Sequence, residues 1–592
     1  VARTTVVDGD GAVVRSCDRL GDRVFHVFAL DAAAGRPIAL EKVVALYGDG
    51  DHAISEPLAD ARDHVADAPG FMALLGAQAR AWSRLWRRFD IDLGAGHEEI
   101  NRIVRLHVFH LLQVASPHIL GRDVGVPARG LHGEAYRGHV FWDELFIFPL
   151  LSYGDPELTR ALLMYRYRRL GAARRRARAL GRTGAAYPWQ SGSSGREETP
   201  YAYLNPRSGR WIVDETELQH HIDAAVAWNV WTYYEVSGDD AWLGAHGAEL
   251  LLEVARFWAS LAAWDPALGR YRIRGVVGPD EFHTAYPGAE RPGLDDNAYT
   301  NVMAAWCLRI AERALAELGE DRRNELLDAL GVDAVEREHW RDVAARLYVP
   351  FHDGHIISQF AGYEALAELD LAALRARHGD IHRLDLVLEA DGDTPNRYKA
   401  SKQADVLMLF YLFDADALVD LLAAMGYAFE PRWIPENIDY YLRRSSHGST
   451  LSRVVHAWVL ARSDRARSFD LFAEALRSDV DDIQGGTTPE GIHLGAMAGA
   501  VDLLKRGYTG AVVRGGTLHL APRLPDALTE LRTRFFVRGA WLDVHVTRDQ
   551  VEVAYTSGRA ATVEVVVAGE SLALERGRPR RRVLAPASPR GG

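Results

Sequence analysis

The run Ser445-Ser446-His447-Gly448-Ser449-Thr450-Leu451-Ser452-Arg453-Val454-Val455-His456-Ala457-Trp458-Val459 decides the fold. Its second half spaces Leu451, Val454, Val455, Trp458 and Val459 as one face of a helix. Its first half puts hydroxyls, an imidazole and backbone amides where that helix would begin. Such a helix start can gather an anion without many formal charges. The plainer reading is that Ser449 caps the helix, and both can hold at once. Ile103, Leu106, Phe109 and His110 repeat the helical spacing far upstream. Roughly a dozen helical segments are expected between about Glu98 and Gly510, joined by long loops rich in Gly, Pro and aromatic residues. So many helices, with chemistry-bearing loops at one end, predict a mainly α fold of the α/α-barrel kind.

Both flanks read differently. Before about Asp67 the text is β-like, its clearest run Arg23-Val24-Phe25-His26-Val27-Phe28-Ala29-Leu30, followed by Ile38 to Tyr47. Phe71 to Phe89 predicts a linker helix rich in Ala, Trp and Arg. After Val512 strands return at Thr517 to Leu520, Leu531 to Phe536, Trp541 to Val546 and Val551 to Tyr555. A basic, Pro-rich tail closes the chain and predicts disorder. The divisions expected are 1–70, 71–97 for the linker helix, 98–511 for the helical domain, 512–576 for a small β-domain and 577–592 for the tail.

Composition excludes several functions. Hydrophobic residues at 48%, charged residues at 25% and a net charge of −12 describe a soluble globular chain, with no support for binding nucleic acid or an anionic membrane. Cys17 and Cys307, with no CxxC, leave no zinc ribbon or disulfide scaffold and suit a reducing cytoplasm. No apolar run reaches membrane-spanning length. His220-His221 and His352-Asp353-Gly354-His355 lack a third ligand at metal-site spacing, so no metal is expected. Neither a strand-to-helix GxGxxG nor a P-loop lysine is present. The chain starts mid-pattern at Val1 rather than Met, which predicts an N-terminally incomplete fragment or a processed chain.

The chemistry concentrates in loops. Gly278-Pro279-Asp280-Glu281-Phe282-His283 places an acid in a turn beside a second carboxylate and an imidazole, the company a glycosidic proton donor needs. Glu281 is the expected general acid, Asp280 its hydrogen-bonding support, and His283 is as readily structural as functional. Gly133 to Glu144 has a sugar-binding composition: Trp142 as a stacking floor and Asp143 as a hydroxyl acceptor, with a helix N-terminal role for Asp143 as the bland alternative. Trp189 and Gln190, in the long loop from Tyr187, could face a second sugar ring or tuck back on the core. Lys402 and Gln403 supply donors for hydroxyls or an anion, though alone they read as a solvated helix start. Ser446, His447, Ser449 and Thr450 form the anion loop.

Taken in order, these motifs and Asp482-Ile483-Gln484-Gly485-Gly486-Thr487-Thr488-Pro489-Glu490-Gly491-Ile492-His493-Leu494-Gly495 resemble glycoside hydrolase family 65. Its familiar members are inverting phosphorylases of maltose, trehalose, kojibiose or nigerose. The resemblance implies an (α/α)6 barrel with a small C-terminal β-domain and an N-terminal β-sandwich, here truncated to a remnant over 1–70. It implies Glu281 as general acid; Trp142, Asp143, Lys402 and Gln403 around the glucosyl ring; and phosphate on Ser446, His447, Ser449 and Thr450. Thr450 stands where a second Ser is usual, which keeps the hydroxyl. The loop through Gly195-Arg196-Glu197-Glu198 is longer than in typical phosphorylases, so acceptor specificity does not transfer. Together with Asn205 to Trp211, it is similar to the hydrolase-like halves of actinobacterial chains fused to a trehalose-phosphate phosphatase-like domain, which implies that an N-terminal domain is missing here.

The function expected is phosphorolysis of an α-linked glucose disaccharide with inversion, to β-glucose 1-phosphate and a free sugar. No cofactor is needed beyond inorganic phosphate as co-substrate. A homodimer is compatible with this reading. One rival is an inverting α-glucoside hydrolase, with Glu436 or Glu490 as base. Another is a catalytically silent carbohydrate-binding domain of a fusion protein.

Overall fold

The structure is a computed structural model describing residues 1–8, 13–48, 51, 56–133, 135–483 and 485–584. The chain divides into two compact units, Val1–Phe89 with Gly121–Asp123, and Asp90–Leu120 with Val124–Gly592. In the first, strand Ala2–Asp8 pairs antiparallel with Ala39–Val44, and Val14–Leu20 pairs with Arg23–Ala29. Gly21, at φ +62, turns the second pair. A helix runs over Phe71–Phe89 as expected. Another, Pro57–Asp67, replaces the β-like reading of that stretch. Proline at its first turn and the Ala-containing sequence behind it favour a helix, and Ala61 and Val65 give it a buried edge.

The second unit is mostly helical, and its helices range from wholly buried to one-sided. Glu144–Gly154 and Leu494–Asp502 are buried at every residue, and Thr450–Leu460 at all but Trp458. By contrast, Glu320–Leu330 buries Leu326 alone. A helix apolar all round belongs inside, and one with a single apolar edge covers it. The expected face of Glu98–Val114 is corrected: Leu106 is exposed, and the buried stripe runs through Ile103, Val104, His107, Val108 and Leu111. The apolar set is broad enough to offer two adjacent faces, and packing selects the one holding Val104 and Val108.

The C-terminal strands form two four-stranded sheets. One has the order Val512–Arg514, Thr517–Leu520, Thr562–Val567, Glu570–Glu575; the other Glu530–Val537, Ala540–Thr547, Gln550–Ser557, Arg580–Val583. Strict alternation of buried and half-exposed residues along Ala540–Thr547 gives each sheet an inner face. Phe535, Leu542, Val553, Tyr555 and Val565 fill the core between them, with Tyr153 and Val236 from helices of the same unit. The tail is corrected in part. Arg580–Val583 is an edge strand, with Arg581 paired to Glu552 and Arg582 to Glu570. Glu552 lies on the adjacent strand and Glu570 on the other sheet. Residues 585–592 lie outside the described residues. Among the described residues no helix is long and apolar enough to cross a membrane.

Candidate active site

The acid turn lies in the loop between strand Arg270–Arg272 and helix Ala298–Glu317. Side chains from distant segments clamp its backbone. Gln219 Nε2 donates to the Gly278 carbonyl at 2.9 Å and Gln403 Nε2 to that of Pro279 at 2.6 Å. Asp280, almost fully buried, accepts from the Lys402 amide at 2.6 Å and from Gln359 Nε2 at 3.1 Å. Its other neighbour is His283, whose Nδ1 lies 2.6 Å away and whose Nε2 lies 2.8 Å from the Tyr398 carbonyl. His283 is thus a buried strut. Gly278 has no alternative, since a Cβ there would sit 2.3 Å from both Asn297 Nδ2 and Asp405 Oδ2. Burial, with Asp280 adding to it, pushes the Asp405 carboxyl well above the usual range, and Asn297 donates to both its oxygens at 3.1 Å.

This clamp forces Glu281 into the left-handed region, at φ +64. For a residue with a side chain that conformation costs about 1–2 kcal/mol. The result is a carboxylate turned out of the turn, one-fifth exposed, with Lys402 Nζ at 2.5 Å. Burial would lower the Lys402 ammonium, but Glu281, with Tyr136 and Asp385 adding to it, holds the ammonium above its ordinary value. Lys402 therefore faces the acid, and Gln403, expected as a sugar donor, has its amide committed to bracing the acid turn.

The aromatic motifs converge in a second cluster. Val140 and Ser191 exchange backbone hydrogen bonds at 2.9 and 3.0 Å, tying the Trp142 loop to the Trp189 loop. The two indole rings lie 5.9 Å apart, and the His221 ring sits 5.0 Å from one and 5.2 Å from the other. Both tryptophans are nearly buried, so Trp189 does pack back on the core, and the core it joins is the Trp142 wall. The lengthened loop has a visible role. Glu197 accepts from the amides of Trp189 and Gln190 at 2.9 and 3.0 Å and pairs with Arg176 at 3.1 Å. Gln190 Nε2 lies 3.1 Å from His139 Nδ1. Asp143 precedes helix Glu144–Gly154 without capping it by its side chain. Burial pushes its carboxyl up to about 6, Arg129 opposing and Glu144 and Glu281 adding to the rise. Glu144 is instead buried against Arg166 at 2.8 Å.

The serine loop is docked on the segment that carries Lys402. The Ser446 amide donates to the Ser401 carbonyl and the Gly448 amide to that of Lys402, each at 2.8 Å. Gly448 has no room for a side chain, because a Cβ would meet the His382 carbonyl at 2.2 Å. Ser449 Oγ accepts from the Leu451 amide at 3.3 Å, so it does cap helix Thr450–Leu460. Ser446 Oγ is buried and meets no hydrogen-bond partner among the described residues. His447, at φ +56, lies 3.0 Å from Ser452 Oγ and packs its ring against His456 at 4.8 Å. Burial, then Arg453 and His382, push the His447 imidazole down to about 3, so it is neutral at ordinary pH. Thr450 is buried in the first turn of the helix.

One segment, Ser401–Lys402, therefore joins the acid turn to the serine loop. Sequence reading missed Gln219, Asn297, Gln359 and Asp405, which hold the acid turn, and Arg453, whose Nη1 is buried without a partner among the described residues. Asn297 alone carried a local signal, as the cap of helix Ala298–Glu317. Among the described residues no group of three or more His, Cys, Asp or Glu is placed to hold a metal ion. Of the two acidic alternatives, Glu436 is exposed and paired to His355 at 2.5 Å, and Glu490 is exposed in a short turn.

Comparison with known proteins follows the same layout. The glycosyl hydrolase family 65 N-terminal domain matches residues 1–85, the central catalytic domain 105–502 and the C-terminal domain 512–574. An uncharacterized glycosyl hydrolase of Mycobacterium tuberculosis is 51% identical over 95% of this chain and 42% of its own length. Trehalose 6-phosphate phosphorylase of Lactococcus lactis is 38% identical over 79% of this chain and 60% of its own. The chain thus spans well under two-thirds of the length of these relatives. A putative kojibiose phosphorylase from human microbiome shares the fold, with a TM-score of 0.79 at 21% identity over 98% of this chain and 72% of that one. The chain belongs to glycoside hydrolase family 65.

Proposed function

We propose that the protein cleaves an α-linked glucose disaccharide by inverting phosphorolysis. Glu281 is the general acid and gives its proton to the bridging oxygen. Inorganic phosphate, held by Ser446, His447, Ser449 and Thr450, attacks the anomeric carbon from the opposite face. The C–O bond to the leaving sugar breaks as the C–O bond to phosphate forms, giving β-glucose 1-phosphate and a free sugar. Trp142, Asp143 and Lys402 form the glucosyl site, Gln403 positions the acid turn beside it, and Trp189 and Gln190 border a second sugar ring. No metal or organic cofactor takes part. The all-buried helices would be the inner ring, and the one-sided helices the outer ring, of an (α/α)6 barrel over 98–511.

The observation that carries this reading is the Lys402 segment. Its ammonium meets Glu281 and its carbonyl accepts from Gly448, so proton donor and anion loop are registered to one residue. The loop holds no carboxylate, and a dianion would meet hydroxyls, amides and the Arg453 guanidinium behind them. Sugar hydroxyls would compete for Lys402, and Glu281, taking a proton from solvent, would then donate it to the bridging oxygen. The trehalose 6-phosphate and kojibiose phosphorylases among the relatives support phosphate as the acceptor. Hydrolysis would need a carboxylate opposite Glu281, and the exposed, His355-paired Glu436 makes a poor base.

The test is a panel of maltose, trehalose, kojibiose, nigerose and trehalose 6-phosphate, each with and without phosphate, with glucose and glucose 1-phosphate both quantified. Phosphate-dependent glucose 1-phosphate from one substrate is the expected result. Free glucose released at equal rate without phosphate would replace phosphorolysis by hydrolysis.

A further inference from the structure

The residues of the candidate active site sit at or before the N-termini of helices Glu144–Gly154, Ile222–Ser237, Ala298–Glu317 and Thr450–Leu460. A cavity of about 550 Å³ opens at the other end, among Tyr153, Trp228, Trp231, Trp306, Phe413 and the Val512–Gly515 segment. At 1.5 Å per residue, Trp231 lies about 14 Å along its helix from Ile222, so this is a separate place. The volume falls within the range of small-molecule sites, roughly 300–1,000 Å³.

Its walls have a definite chemistry. Trp228 packs 4.9 Å from Trp306, tilted by 42°, and 5.2 Å edge-on from Phe413, making an aromatic corner. The guanidinium of Arg313 lies over Trp231 at 4.8 Å and within 3.4 Å of Glu235. Arg514 pairs with Asp414, and Arg506, also on the wall, with Asp502. That leaves Arg309 and Asp420, both exposed, which make no ion pair among the described residues. Three of the four guanidiniums are thus matched, and the wall keeps one further guanidinium and one further carboxylate. An anion would find no net positive charge here. A purely apolar ligand would leave Arg309 and Asp420 unused.

We propose that this cavity is a second, non-catalytic site for a neutral saccharide. Aromatic faces suit the CH surface of a pyranose, while a guanidinium donor and a carboxylate acceptor together satisfy ring hydroxyls. The inference is independent of whether the active site uses phosphate or water.

Fluorine NMR of protein carrying 5-fluorotryptophan tests it, with resonances assigned through Trp228→Phe and Trp306→Phe. Titration with glucose and with maltose, the latter in the Glu281→Gln background, should shift both resonances saturably, with a Kd on the order of millimolar. Arg309→Ala and Asp420→Ala, at exposed positions that do not threaten folding, should each weaken that binding several-fold. The Trp142 and Trp189 resonances should keep their own response. The proposal is overturned if the Trp228 and Trp306 signals do not move, or move without saturation. It is equally overturned if both alanine variants bind as the parent does, or if inorganic phosphate alone gives the tighter response.

Discussion

The acid turn and the serine loop meet at Lys402 but are built in opposite ways. Around Gly278–His283 the holding contacts are made by buried side chains: Gln219, Gln403, Asp280, Asn297 and Asp405. Around Ser445–Thr450 the backbone does the holding, and side-chain groups such as Ser446 Oγ are left over. A buried polar network fixes one geometry, because each broken contact strands a partner. A loop held by its amides instead leaves hydroxyls free to meet a ligand. The first suits aiming a single carboxyl, and the second suits receiving an ion with several oxygens.

That contrast can be broken most sharply at Glu281. Glu281→Gln should lower kcat by about 10²–10⁴-fold while leaving thermal stability near that of the parent, as the side chain lies outside the clamp. Steady-state rates and a melting curve check both halves; a stable, fully active variant would remove Glu281 from the mechanism. In the serine loop, Ser446→Ala should raise KM for phosphate about ten- to a hundredfold, the value of one hydrogen bond to a charged group. KM for the disaccharide should barely change, and equal loss for both would deny the loop its phosphate role. Gly278→Ala attacks the clamp itself. The displaced Asn297 and Asp405 should cost about 1–3 kcal/mol, read as a lower urea midpoint, with activity falling alongside.

The smallest effect concerns pH. His447 is held neutral down to about 3, whereas in the unfolded chain it would take a proton below about 6.5. Its contribution to stability is therefore intact above that pH and declines as pH falls toward 3. KM for phosphate should show no step from this ring between about pH 5 and 8, beyond the ionisation of phosphate itself. A step that vanishes in His447→Ala would mean that the imidazole binds as a cation.

Much of this was legible in the chain because it is local. Helical spacing found Thr450–Leu460, strand-like runs found the C-terminal strands, and turn chemistry found the Glu281 loop. What escaped is long-range. Gln219 lies 59 positions from the carbonyl it clamps, Gln359 lies 79 from Asp280, and Asp405 lies 125 from the amide it meets. No periodicity carries such information. Lys402 shows the same limit: its sequence setting reads as a helix start, and only the fold turns its ammonium onto Glu281. At Pro57–Asp67 the failure was local, a helix-opening proline passed over inside a β-like region.

The central claim, that one residue registers a proton donor to an anion loop for single-displacement phosphorolysis, is met most directly by following a substrate with phosphate by time-resolved proton and phosphorus NMR. The account predicts that β-glucose 1-phosphate appears first, in step with the free sugar, and that omitting phosphate stops the reaction. An initial α-anomer, or undiminished release of glucose without phosphate, would contradict it.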